Sequence, residues 1–71
     1  MDQGRIITNF GKALKKMRLQ KKLSLRQLAH QADMNHGNIH RIEKGEIDPR
    51  LTTIITLAEA LGVDPAELIK R

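Results

Sequence analysis

Apolar residues recur every three or four positions along this chain, in separate stretches, and nowhere alternate as a strand would. Ile7, Phe10, Leu14 and Met17 form the first stripe, which predicts a helix from about Arg5 to Lys21. Lys12, Lys15 and Lys16 fall off the stripe, and so does Leu19, read as an ordinary exposed leucine. "SLRQ" has the form of a capping box, with Ser24 as N-cap and Gln27 at the third helical position. Leu25, Leu28, Ala29 and Ala32 then make a second helix, with Leu23 packing just outside its cap. The pattern breaks at Asp33, a residue type that tolerates the left-handed conformation.

A third helix is predicted after Asn35, a good N-cap, and ends at Gly45. Ile39 and Ile42 are its only large apolar residues, while His36, Asn38, His40, Arg41 and Lys44 are polar. "EIDPR" is a turn, because Pro49 forbids helix continuation. The fourth helix is expected over Leu51 to Leu61, on a stripe of Leu51, Ile54, Leu57, Ala58 and Leu61, and Gly62 closes it. Asp64, Pro65 and Glu67 open a last short helix that turns Leu68 inward. Ile55 and Ile69 sit at the stripe margins as spare apolar surface.

The expected fold is therefore all-α, with five helices. A length of 71 residues predicts a single domain, 1–71. Such a domain buries only about 60% of its unfolded surface. The chain has no cysteine, so neither a disulfide nor a thiolate zinc site can staple it. Stability must come from the apolar core, with help from a dimer interface. No apolar run approaches the roughly 18 residues of a membrane span. "MDQGRIITNFGKAL" has an acidic second residue and polar interruptions, unlike a secretory signal. A soluble, cytoplasmic protein with no membrane association is expected.

The formal charge is +5, which suits a polyanionic partner. Its distribution says more. Every charge from Arg5 to Lys22 is positive, and from Leu51 to Ile69 every charge is negative. One basic end suits the presentation of one face to an anion, and a solvated lysine face kept for solubility is the bland alternative.

The segment Leu25 to Lys44 holds two short helices joined by a turn of about three to four residues. Ala29 has to be small if these helices cross closely. The third helix gives only a narrow stripe to the core and keeps a wide polar side. Such a helix fits a DNA major groove, which admits one α-helix.

Several marks at this spacing resemble the Cro/C1-type (XRE-like) helix-turn-helix family. They are Arg18; Leu23-Ser24; Leu28-Ala29; Ile39, Ile42, Glu43 and Gly45; Pro49; Thr53-Ile54; and "LAEALGV" from Leu57 to Val63. The resemblance covers 14–68, with the motif at about 25–44. It implies a compact five-helix, lambda-repressor-like DNA-binding domain. It implies that Asn35 to Lys44 is the recognition helix, with His36, Gly37, Asn38, His40 and Arg41 as candidate base readers. Arg41 leads, because a guanidinium can donate twice to guanine O6 and N7. Lys44 and Arg50 are the implied phosphate contacts, and the cap residues Gln27 and Asn35 complete that set. Arg18 and Glu43 are the implied structural pair, bidentate and fixing the recognition helix to the bundle.

Two positions depart from the family pattern. Leu25 stands where many relatives carry a phosphate-contacting Gln, and Asp33 replaces the usual turn Gly. His36 and His40, four apart, with His30 nearby, raise a metal site. No carboxylate or thiolate completes a ligand set, so they are read as groove-facing or solvated, and no metal or other cofactor is expected. No nucleophile–base pair or glycine-rich phosphate loop suggests an enzyme, and no small-molecule ligand is evident.

The resulting expectation is a sequence-specific double-stranded-DNA-binding transcriptional regulator, a repressor or autoregulator. It would act in the cytoplasm, on the nucleoid, as a homodimer on a palindromic operator. Ile55, Val63 and Ile69 are the candidate dimer contacts. Among members of the family the chain is similar to restriction-modification controller proteins and Cro-like phage repressors. An antitoxin is one alternative, weakened because no extra segment is seen for holding a toxin. A protein–protein adaptor that has lost DNA binding is the other, and Arg41, Lys44 and Arg50 argue against it.

Overall fold

The computed structural model describes residues 2–69. Its helices are α1 (Gln3–Gln20), α2 (Leu25–Ala32), α3 (His36–Glu43), α4 (Leu51–Leu61) and α5 (Pro65–Leu68), with no strand among the described residues. The helix starts follow from side-chain caps. The Asp2 carboxylate accepts from Gly4 N–H at 2.9 Å, which starts α1 two residues earlier than its apolar stripe suggests. Ser24 and Gln27 form the reciprocal box, Gln27 N–H to Ser24 Oγ at 3.0 Å and Ser24 N–H to Gln27 Oε1 at 2.8 Å. Asn35 Oδ1 accepts from Gly37 N–H at 2.7 Å, and Asp64 Oδ1 from Ala66 N–H at 2.9 Å.

The first four helices end alike. In each, a residue of positive φ lets the next N–H reach back five positions to a carbonyl of the last turn. The bonds are Leu23 to Arg18, Met34 to Ala29, Glu46 to Arg41 and Val63 to Ala58, at 2.9–3.1 Å. The positive-φ residues are Lys22 (58°), Asp33 (54°), Gly45 (74°) and Gly62 (70°). Asp33 is thus the hinge of the α2–α3 turn.

The core takes one fully buried side chain from each helix: Leu14, Leu28, Ile39, Leu57 and Leu68. Each contributes about 1.5–3 kcal/mol by leaving water. Phe10, Ala29, Ala32, Ile42, Ala58 and Leu61 complete it. α1 packs on α3 and α5, α2 on α3 and α4, and α4 on α5. Leu23, Leu25, Met34 and Val63 are half-buried against this core.

The fourth helix needs a correction. Leu51, expected in its buried stripe, is 70% exposed. At 100° per residue it lies roughly 70° from the centre of the stripe made by Ile54, Leu57, Ala58 and Leu61. It also stands at the first helical position, where the bundle ends.

α1 and α3 approach closely at Gly11. A Cβ on Gly11 would lie 2.4 Å from the Ile42 carbonyl oxygen and 2.7 Å from that of Glu43. α1 therefore rests directly on the backbone at the end of α3. A glycine inside a helix costs about 1 kcal/mol against alanine, and this contact is its reason.

Candidate nucleic-acid interface

α3 has two sides of different chemistry. Ile39, Ile42 and Glu43 are buried. His36, Asn38, His40, Arg41 and Lys44 are exposed, and Gly37 is half-exposed. Arg41 precedes buried Ile42 and still faces water, so its guanidinium is available to a partner. The polar side is held in place from behind by Glu43. Arg18 Nε donates to Glu43 Oε2 at 2.7 Å and Nη2 donates to Oε1 at 3.1 Å. Arg18 Nη1 also donates to the Leu23 carbonyl at 2.8 Å. One buried guanidinium thereby links α1, the end of α3 and the entry to α2. No buried side-chain polar atom among the described residues lacks a partner.

The remaining sequence candidates divide. Asn38 and Arg50 share a concavity of about 290 Å³ with Met34, Ile47, Pro49 and Thr53. A reader and a phosphate candidate are therefore brought together across the α3–α4 loop. Lys44 is otherwise engaged, with Nζ 3.3 Å from Glu46 Oε2. Gln27 Oε1 and Asn35 Oδ1 are spent on caps, leaving their amide N–H groups to donate. Leu25 packs on the core. His30, His36 and His40 are exposed. No group of three or more His, Asp or Glu gathers into a metal-holding cluster among the described residues.

The caps carry a further signal. α1 and α5 are capped by aspartates, Asp2 and Asp64, whereas α2 and α3 are capped by neutral Ser24 and Asn35. These residue types cap about equally well, so helix stability does not dictate the choice. Neither α2 nor α3 has an acid in its first turn, and α2 has Arg26 there. A cation at that end opposes the helix dipole. With α4, whose N-cap is Arg50 and whose first turn has no acid, three helix N-termini are free of negative charge, which suits a polyanion. Arg26 was absent from the sequence candidates, although its place in the first turn of a capped helix was readable.

A helix anchored by its apolar side, set across a three-residue turn from its neighbour and polar outward, is a helix-turn-helix. A family model described as helix-turn-helix matches residues 14–68. The chain belongs to this family. It is a DNA-binding protein of the Cro/C1 type, concerned with transcription regulation. Among solved structures it is similar to the restriction-modification controller protein C.AhdI from Aeromonas hydrophila. The two are 32% identical, with a TM-score of 0.85 over 87% of this chain and 94% of that one. The clp gene regulator ClgR from C. glutamicum is 25% identical, with a TM-score of 0.87 over 90% and 82% of the two chains. The hypothetical transcription factor NHTF from Neisseria shares the fold at 23% identity, with a TM-score of 0.89 over 99% and 80%. No curated protein matches. No described helix of this helix-turn-helix protein is long and apolar enough to cross a membrane.

Proposed function

We propose that this protein is a sequence-specific regulator that binds double-stranded DNA as a homodimer on a palindromic operator, as a repressor or autoregulator. The observation that carries the reading is α3 itself. Buried Ile39, Ile42 and Glu43 fix one side, and exposed His36, Asn38, His40 and Arg41 occupy the other. A rigid helix with a hydrogen-bonding face is what base reading in the major groove requires. Arg41 is the leading reader. Asn38 reads beside it while Arg50, in the same concavity, takes phosphate. Arg26 joins Gln27 and Asn35 at the two neutral helix N-termini as a phosphate contact.

One recognition helix spans few base pairs, so two copies related by a two-fold axis supply the site length. The likeness to a restriction-modification controller favours a regulator of that kind. On this reading the protein is a binding protein, not an enzyme, and works in the cytoplasm on the nucleoid. Selection of bound duplexes from random DNA tests it. A recovered palindrome is expected. Recovery of no sequence, with no retardation of any duplex at low salt, would favour an adaptor on the same fold.

A further inference from the structure

Another concavity, of about 570 Å³, lies between α1 and α5. Its floor is apolar: Ala13 and Met17 on α1 and Val63 in the α4–α5 turn, all half-buried. Its rim along α1 is polar and basic, with exposed Lys16, Gln20 and the C-cap Lys21. Exposed Lys12, one turn before Lys16, extends that line of charge, and α1 holds no acid to interrupt it. Glu67 borders the groove from α5. Even so, neither Lys16 nor Lys21 is in an ion pair among the described residues, where the pairs are Arg18–Glu43 and Lys44–Glu46.

The groove is on the far side of α1 from α3. Gly11 is where α1 rests on the backbone of Ile42 and Glu43. At 100° per residue, Ala13, Lys16, Met17 and Gln20 stand about 120–180° round α1 from Gly11. The polar side of α3 faces away from its buried Ile42 and Glu43, and so away from α1. A duplex seated on α3 therefore leaves the groove open. We propose that it holds an acidic amphipathic segment of another protein, with apolar side chains on Met17 and Val63 and carboxylates on Lys12, Lys16 and Lys21. This surface is additional to DNA reading and uses no residue of α3.

Charge complementarity selects the occupant. Unpaired ammonium groups beside an apolar floor are met by a segment that carries carboxylates next to apolar side chains. Methionine adapts its unbranched chain to apolar partners of different shape, which suits Met17 to such a floor. Glu67 sets the direction, so the carboxylates of the segment lie along α1 and away from α5. A nucleic-acid strand fits less well. Its bases stack on aromatic rings, and the one aromatic residue of the chain, Phe10, is buried. A second copy meeting the groove across a two-fold axis would set lysine against lysine.

The probe is a fluorescein-labelled peptide of glutamates with leucine at every fourth position, set against an all-glutamate peptide. Fluorescence anisotropy follows its binding to the full chain, alone and with duplex DNA in excess, and circular dichroism checks the helix content of each variant. Lys16→Glu and Lys15→Glu change the net charge equally. Lys15 is exposed on α1 but lies outside the groove, about 40° round the helix from Gly11. The leucine peptide should bind with or without duplex, at least about tenfold more tightly than the all-glutamate one. Lys16→Glu should weaken it by at least about tenfold and Lys15→Glu by less than about threefold, while Glu67→Gln should tighten it a few-fold. Equal losses for Lys15→Glu and Lys16→Glu would reduce the attraction to net charge and overturn the groove. Equal binding of the two peptides would overturn the apolar floor and with it the proposal. Displacement of the peptide by duplex would put it on the DNA-facing side, and displacement by a polythymidine strand alone would make the groove a nucleic-acid site; either would overturn the proposal. None of these outcomes bears on base reading by α3, which the selection from random DNA tests separately.

Discussion

Arg18 and Glu43 meet inside the bundle through two side-by-side hydrogen bonds of 2.7 and 3.1 Å, with their side chains only 8% and 3% exposed. The pair joins α1 to the end of α3, so the placement of the polar side of α3 depends on it. Desolvating two charges is expensive, and the bidentate geometry with the third bond to Leu23 offsets that cost.

Glu43→Ala should therefore lower stability by about 3–5 kcal/mol, because it strands a buried guanidinium. That is a large share of the roughly 5–15 kcal/mol of a typical domain. Adding Arg18→Met to Glu43→Leu should cost much less than the two single changes summed. Urea denaturation of the singles and the double measures the coupling, and strict additivity would show that the two residues act independently.

Gly11→Ala should destabilise by about 1–3 kcal/mol, although alanine is the better helix former by about 1 kcal/mol. The new methyl would meet backbone oxygens of Ile42 and Glu43, which cannot rotate away. α3 must shift, so DNA affinity should fall as well. A thermal melt and a binding titration check both effects, and a rise in melting temperature would show that the crossing is looser than 2.4 Å implies.

Much of this was legible in the sequence, for identifiable reasons. Ser24, Asn35 and Asp64 cap helices because their side chains suit orphan N–H groups, a local fact. Gly45, Gly62 and Asp33 end helices for equally local reasons of φ. Lys22 does the same at 58°, and nothing in a lysine announces it. Leu51 was misplaced because a stripe gives angle around a helix but not whether a neighbour stands there. Gly11 meets the backbone of α3, a partner that exists only once the chain folds. The Lys44–Glu46 contact is similar: two charges two apart in a turn meet or miss according to the loop.

That contact yields a prediction of its own. Glu46 holds Lys44 at 3.3 Å and brings a negative charge to the α3–α4 loop. Glu46→Gln should strengthen binding to all duplexes by a few-fold and steepen the salt dependence, as the freed ammonium displaces about one more counterion. Stability should hardly move, since an exposed pair contributes about 0–1 kcal/mol. An unchanged salt slope would place Lys44 away from the DNA backbone.

Reading and holding are separable in the same way. Arg41 faces water from the polar side of α3, whereas Arg50 precedes α4 and borders the concavity of Asn38. If Arg41 donates to guanine, Arg41→Ala should cost about 1–3 kcal/mol on the preferred operator and relax preference at one position per half-site. Binding to scrambled duplex should change less. Arg50→Ala should weaken operator and scrambled duplex alike and flatten the salt dependence, because it removes a phosphate contact. Titrations of both variants against both duplexes at several salt concentrations make the comparison. Equal losses on both duplexes for Arg41→Ala would make it a phosphate contact and pass the reading to His36 and Asn38. If neither variant altered binding to either duplex, α3 would not be the surface that meets DNA.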